Sequence, residues 1–245
     1  MQNAELFTTG QIRATECFKE GWELIKANYW MMFAIVLVGM LLASIIPFGL
    51  ALGAMYCGIY YVFFQLAAGK RPDFGDLFKG FNYFIPALIA TLILVIPIVI
   101  FTIIMWISMV GIMFSLTDSR GHINESAIVA LYGTMIVEGV IMGLVLGCIH
   151  AFIIFTYPLI VEHNLSGPDA FKLSAKAAWA NLGGVVSLMI GQIVIGFVGY
   201  LACAVGVYFT LPIMFAGIFV AYRRVFPNFS APDSSPPPPS AYQNI

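Results

Sequence analysis

Few side chains in this chain could carry chemistry, and they stand far apart. His150 falls inside an apolar run, seven residues after Gly143 and so on nearly the same helical face. An ionisable group in such a run is a functional candidate by default; the alternative is a neutral imidazole bonded to a backbone carbonyl. Glu138 lies twelve residues earlier, about 18 Å along an ideal helix, so the two cannot meet on one straight helix. His122 and Glu125, three apart, could share a metal ion, but two ligands in a loop make an incomplete site. There is no His-Glu-x-x-His, no Gly-x-Ser-x-Gly and no phosphate loop. No catalytic residues, metal or cofactor are therefore expected, and the chain reads as a non-enzyme.

Composition says what must position these residues. The chain has 245 residues, 61% of them hydrophobic and 9% charged. A soluble domain carries about 25% charged residues, so a bilayer must solvate most of this exterior. The net charge of −1 gives no electrostatic case for nucleic acid. The four cysteines at 17, 57, 148 and 203 form no Cys-x-x-Cys pair and read as small apolar residues. The polar N-terminal stretch argues against a cleaved signal peptide, and neither end carries a lipidation motif.

Three segments, 27–69, 80–117 and 177–222, contain no Asp, Glu, Lys or Arg. A spanning helix needs about 20 apolar residues. The expected fold is all-α, a polytopic membrane protein with six spans near 29–48, 51–68, 84–107, 139–161, 182–202 and 205–222. Pro47-Phe48-Gly49 supplies the first turn, and Pro212 sits inside the last span. The third and fourth spans look overlong, either projecting as a hairpin or tilting strongly. Residues 1–11 are expected to be loose, with a weak capping box at Thr8-x-x-Gln11. Residues 12–226 form one membrane domain, and 227–245 a Pro-rich tail.

An amphipathic helix precedes three of the apolar runs. Ala14, Cys17, Phe18, Trp22 and Ile25 make one face of the first. It is expected to lie in the membrane interface; the alternative is a soluble helix packed on other loops. Phe74, Leu77, Phe78 and Phe81 face the second, with Asp73 as its cap. Phe171, Ala175, Ala178 and Leu182 face the third, which starts at Ser166-Gly167-Pro168-Asp169. With six spans and both termini in the cytoplasm, ten Lys and Arg lie inside and only Arg120 outside. Of these, Lys19, Lys70, Arg71, Lys79, Lys172, Lys176, Arg223 and Arg224 are candidates for anionic lipid headgroups.

Gly139, Gly143 and Gly147 recur every four residues, followed by Ala151. Small residues at this interval let helices approach closely in lipid. The stripe reads as a packing seam for another span or for a second copy of the chain, with His150 buried beside it.

A shift of 153 residues superposes 16–28 on 169–181, matching Phe18, Lys19, Ala27 and Asn28 with Phe171, Lys172, Ala180 and Asn181. Four spans separate the two units, so the repeat is parallel. The segment 74–81, Tyr157-Pro158, Asp169-Ala170-Phe171 with Ser174 and Asn181, then Pro212 and Ala221-Tyr222, resembles the YciC-like bacterial membrane proteins. It is also similar to the membrane-anchor domain of some glycerophosphodiester phosphodiesterases. The resemblance implies a six-span protein of the cytoplasmic (inner) membrane and brings no catalytic residues. The expected function is a scaffold or assembly partner contacting lipids, other membrane proteins or a second copy. The alternative is a transporter or lipid-handling protein.

Overall fold

A computed structural model describes residues 7–45, 49–115, 125–202 and 205–227. The polar loop with Arg120 and His122, Cys203 and the run from Pro236 to Pro239 lie outside these residues. All regular structure among the described residues is helical. In order the helices are α1 Ala14–Ile25, α2 Tyr29–Ile45, α3 Leu52–Ala67, a 3-10 helix Phe74–Tyr83, α4 Phe84–Ser115, α5 Glu125–Ile153, α6 Thr156–His163, α7 Gly167–Ala180, α8 Leu182–Leu201 and α9 Gly206–Val225. A single 3-10 turn, Lys26–Asn28, joins α1 to α2. The chain is an all-α polytopic membrane protein: five helical stretches are long and apolar enough to cross a membrane, and the apolar α3 is shorter.

The chain divides into two units, residues 92–150 and the remainder. In the larger unit each short amphipathic segment packs along an apolar helix. α1 lies along α9, the 3-10 helix along α3, and α7 along α6. The contacts α2 to α3 and α8 to α9 complete two hairpins, and α3 also meets α6. Between α3, α6 and α9 the space is filled by rings. Tyr56 lies 5.0 Å from Tyr157 and 5.3 Å from Phe215, and Phe63 lies 5.5 Å from Phe219. Tyr222 closes the column against Phe64 and Phe155.

α1 packs on α9 and α8, two apolar helices, and not on loops. Its face at Cys17, Gly21 and Ile25 is buried in protein, with no apolar stripe left over for lipid beyond the half-exposed Trp22. A Cβ on Gly21 would stand 2.9 Å from Ala216 and Gly217. Phe18 fills the notches at Gly191 and Gly217, where an added Cβ would meet its ring at 2.4 Å. Residues 7–11 are also tied down, contrary to the loose N-terminus expected. Thr8 N–H donates to the Val225 carbonyl at 2.7 Å, and Gly10 N–H donates to Asn181 Oδ1 at 2.7 Å. Thr8 makes no capping box with Gln11: its hydroxyl donates to the Arg224 carbonyl, and Arg13 holds the N-cap position.

The other two starts form as their sequences suggest. Asp73 accepts from Gly75 N–H at 3.0 Å, and Ser166 accepts from Asp169 N–H at 3.3 Å. Their faces differ from expectation. The tighter winding of the 3-10 helix, three residues per turn, puts Leu77 and Gly80 on the buried side and leaves Phe78 and Phe81 exposed. In α7 the buried set is Ala170, Leu173, Ser174, Ala177 and Ala178, so Phe171 and Ala175 face outward.

The expected fourth span, 139–161, breaks between Ile153 and Thr156. Pro158 has no N–H to give the Ile154 carbonyl, and its ring crowds that turn. The buried Ser174 hydroxyl repairs the break: it accepts from Phe155 N–H at 3.1 Å and donates to the Phe152 carbonyl at 2.6 Å. The second span is also short. α3 has 16 residues, about 24 Å of helix against a hydrocarbon core of about 30 Å. Ten of those residues are buried, so protein rather than lipid surrounds most of it.

In the smaller unit α4 runs on to Ser115, an overlong helix as its apolar run suggested, and α5 begins at Glu125. Their 32 and 29 residues give about 48 and 44 Å of helix, both beyond the hydrocarbon thickness. None of the described residues from 92 to 150 is buried.

Backbone approach at the 3-10 helix gives a sharp test. A Cβ on Gly80 would stand 2.0 Å from the Ala54 carbonyl oxygen and 2.5 Å from Gly58 N, both main-chain atoms. Gly80→Ala is expected to destabilise the protein by about 3 kcal/mol, at the upper end of ordinary overpacking. Gly143→Ala, with no heavy atom within 4 Å of its Cβ, should not destabilise it and should favour the helix by about 1 kcal/mol. Thermal unfolding in detergent separates the two.

Candidate functional site

The eight candidate headgroup cations fall into two classes. Lys79 pairs with Asp76 at 2.7 Å and stands 5.1 Å from the centre of the Tyr61 ring. Arg224 holds Glu16 at 2.9 Å and Glu20 at 2.6 Å, fastening α1 to the end of α9. Arg223 stands 3.7 Å from Glu162. These three are committed within the protein. Lys19, Lys70, Arg71, Lys172 and Lys176 are exposed and make no ion pair with a described residue.

The ends of α6 and α9 bring together a polar group that the sequence did not single out. Tyr222 O–H donates to the Glu162 carboxylate, and the same hydroxyl lies 3.3 Å from His163 Nε2. The His163 side chain is 2% exposed and that of Glu162 14%. With Arg223 beside Glu162, the four side chains tie the C-terminal ends of two helices, and Phe64 of α3 packs on the Tyr222 ring. The sequence held one signal for this site: Glu-His ends one apolar run and Tyr-Arg ends another, on the same expected side. The group has the donors and acceptors of an acid–base set, with His163 buried and Glu162 and Arg223 partly exposed, and its geometry makes it a clamp.

The glycine stripe is placed differently from expectation. Gly139 and Gly143 are exposed, and no atom of a described residue lies within 4 Å of where their Cβ atoms would be. Gly147 is half-buried, and Ala151 is buried in the larger unit. His150 is exposed rather than enclosed, and Val145 is more covered than Gly143. Glu138 Oε2 is shielded from solvent and accepts no hydrogen bond from a described residue. Glu125 and His150 stand at opposite ends of α5. Among the described residues no three His, Cys, Asp or Glu side chains gather as a metal set.

No family model, curated protein or solved structure matches this chain. The likeness to YciC-like proteins rests on the quoted residues alone.

The clamp yields a prediction. Tyr222→Phe keeps the ring column and removes the donor to a largely buried carboxylate. Hydrogen bonds to charged groups contribute about 1.5–3 kcal/mol, so stability should fall by about that amount. Glu162→Gln, which retains an acceptor, should cost less. Thermal shifts of the two variants in one detergent check the order.

Proposed function

We propose that this protein is a non-enzymatic scaffold of a cytoplasmic membrane, and that α5 is the helix it offers to another membrane-spanning helix. The observation that carries this reading is Glu138. Its Oε2 is shielded yet lacks a donor among the described residues, and Gly139 and Gly143 beside it present open backbone. An unsatisfied carboxylate in an apolar setting is costly. A partner helix that brings a donor and packs its backbone on the glycines would answer both. The filled ring column of the larger unit favours a scaffold over a conduit, because aromatic side chains occupy the space between α3, α6 and α9.

Orientation belongs to the same proposal. Counting α3 as a crossing gives six passes with both ends in the cytoplasm, and the excess of Lys and Arg on that side supports it. The parallel repeat has support in element boundaries: shifted by 153, the starts of α1 and α2 fall on those of α7 and α8, and that of α3 falls one residue before α9. Reporter fusions after Ala67 and after Tyr222 should read cytoplasm and one at Arg120 the outside. A cytoplasmic reading at Arg120 removes the six-pass map.

Photo-crosslinking residues test the scaffold. Placed at Val140 and Leu144, both exposed on α5, they should give discrete protein adducts in intact membranes. The same residue at Ile193 of α8, also exposed, should give lipid adducts only. Glu138→Leu should weaken the α5 adducts several-fold. Equal yields at all three positions would overturn the reading.

A further inference from the structure

We propose that the outward face of α7 binds an anionic phospholipid of the surrounding membrane, its phosphate on Lys172 and Lys176 and an acyl chain against Phe171 and Trp179. This goes beyond the scaffold reading and does not depend on it.

α7 has two apolar faces. One is consumed by the fold through Ala170, Leu173, Ser174 and Ala177. The other recurs every four residues as Phe171, Ala175 and Trp179, and the fold covers it only in part: Phe171 and Ala175 are half-buried and Trp179 is exposed. Trp179 is 68% exposed, with its ring 6.3 Å from that of Phe152. Together with Phe7 and Phe152 this face forms an open groove of about 530 Å³, and the two lysines are its only charged lining. A groove that is apolar in its floor and cationic at its rim fits an amphiphile with an anionic head.

Charge bookkeeping along the chain points the same way. Lys26, Lys79, Arg223 and Arg224 each meet a carboxylate. Lys172 and Lys176, one turn apart on α7, meet none among the described residues. From Ala170 to Tyr222 the sequence holds these two charges and no acid, so the counter-charge must come from outside this segment. Two lysines side by side suit a phosphate as paired point charges.

The apolar stripe identifies the bearer of that phosphate. After α7 ends, it resumes at the same spacing on α8 with Leu182, Val186 and Ile190, each exposed. α8 has no charged residue and 20 residues, about 30 Å or one hydrocarbon thickness. A soluble acidic peptide on the lysines would leave that face bare. A membrane phospholipid satisfies both with one molecule, and the lysines with Trp179 have the composition of a headgroup-level anchor.

The test uses the full chain in lipid nanodiscs. With Trp22, Trp30 and Trp106 changed to Phe, Trp179 is the only tryptophan. Brominated phosphatidylglycerol and brominated phosphatidylcholine are each titrated into unbrominated phosphatidylcholine. Two lysines at about 1 kcal/mol each predict half-maximal quenching at about 30-fold lower mole fraction of the glycerol lipid. Lys172→Gln with Lys176→Gln should abolish that preference, and Lys70→Gln with Arg71→Gln should keep it. Equal quenching by the two lipids overturns the proposal. So does a preference that survives the Lys172 and Lys176 changes, or one lost equally with Lys70 and Arg71. Should the Phe variant fail to fold, native mass spectrometry of the otherwise unaltered chain replaces the quenching. Retention of one fewer phosphatidylglycerol after the Lys172 and Lys176 changes supports the site, and unchanged retention overturns it. Crosslinks from α5 do not enter either readout, so the two readings fail separately.

Discussion

In a lipid surround two apolar helices gain little by hiding from their solvent, so association depends on how closely backbones can approach. The larger unit is assembled on that constraint. Gly80 sits within contact of the Ala54 carbonyl and Gly58 N, Gly21 of Ala216 and Gly217, and Gly199 of Gly206. Each contact joins a short segment or hairpin arm to its neighbour where any side chain would hold them apart. Polar repairs then follow from the geometry so fixed. Ser174 reaches the break above Pro158 only because α7 lies against α6. Arg224 reaches Glu16 and Glu20 only because α1 runs along α9.

The same constraint explains why α3 can be short. A helix facing lipid must match the hydrocarbon thickness or distort it. α3 meets α2, α6, α9 and the 3-10 helix, so its neighbours set its length. Its Tyr56, Tyr60 and Phe63 project into the ring column.

Much of the helix inventory was legible because uncharged runs and capping residues are local signals. Ser166 and Asp73 cap as their positions suggested, and α2 and α8 begin where the charges stop. What could not be read was partnership. The spacing of Cys17, Gly21 and Ile25 shows that a face exists, and nothing in that spacing says whether lipid or α9 covers it. Tyr222 and Glu162 lie sixty residues apart, so their clamp exists only once α6 and α9 are side by side. The break at Ile154 was hidden for a different reason: Pro158 was visible, but proline within an apolar run kinks some helices and ends others, depending on whether a group such as Ser174 satisfies the freed amide.

Glycine spacing shows the limit most clearly. Gly199 and Gly206 face each other across a hairpin, whereas Gly111, Gly133, Gly139 and Gly143 each look onto open space. These four lie between 92 and 150, the stretch with no buried described residue, while Gly10, Gly69 and Gly183 of the larger unit are open as well. If the four served only to face acyl chains, a larger apolar residue would serve as well and would favour the helix by about 1 kcal/mol each. Helix stability therefore gives no reason for them. The proposed docking of another backbone would account for them, and Glu138, whose Oε2 is shielded and without a donor among the described residues, marks where along α5 that docking would also supply a hydrogen bond.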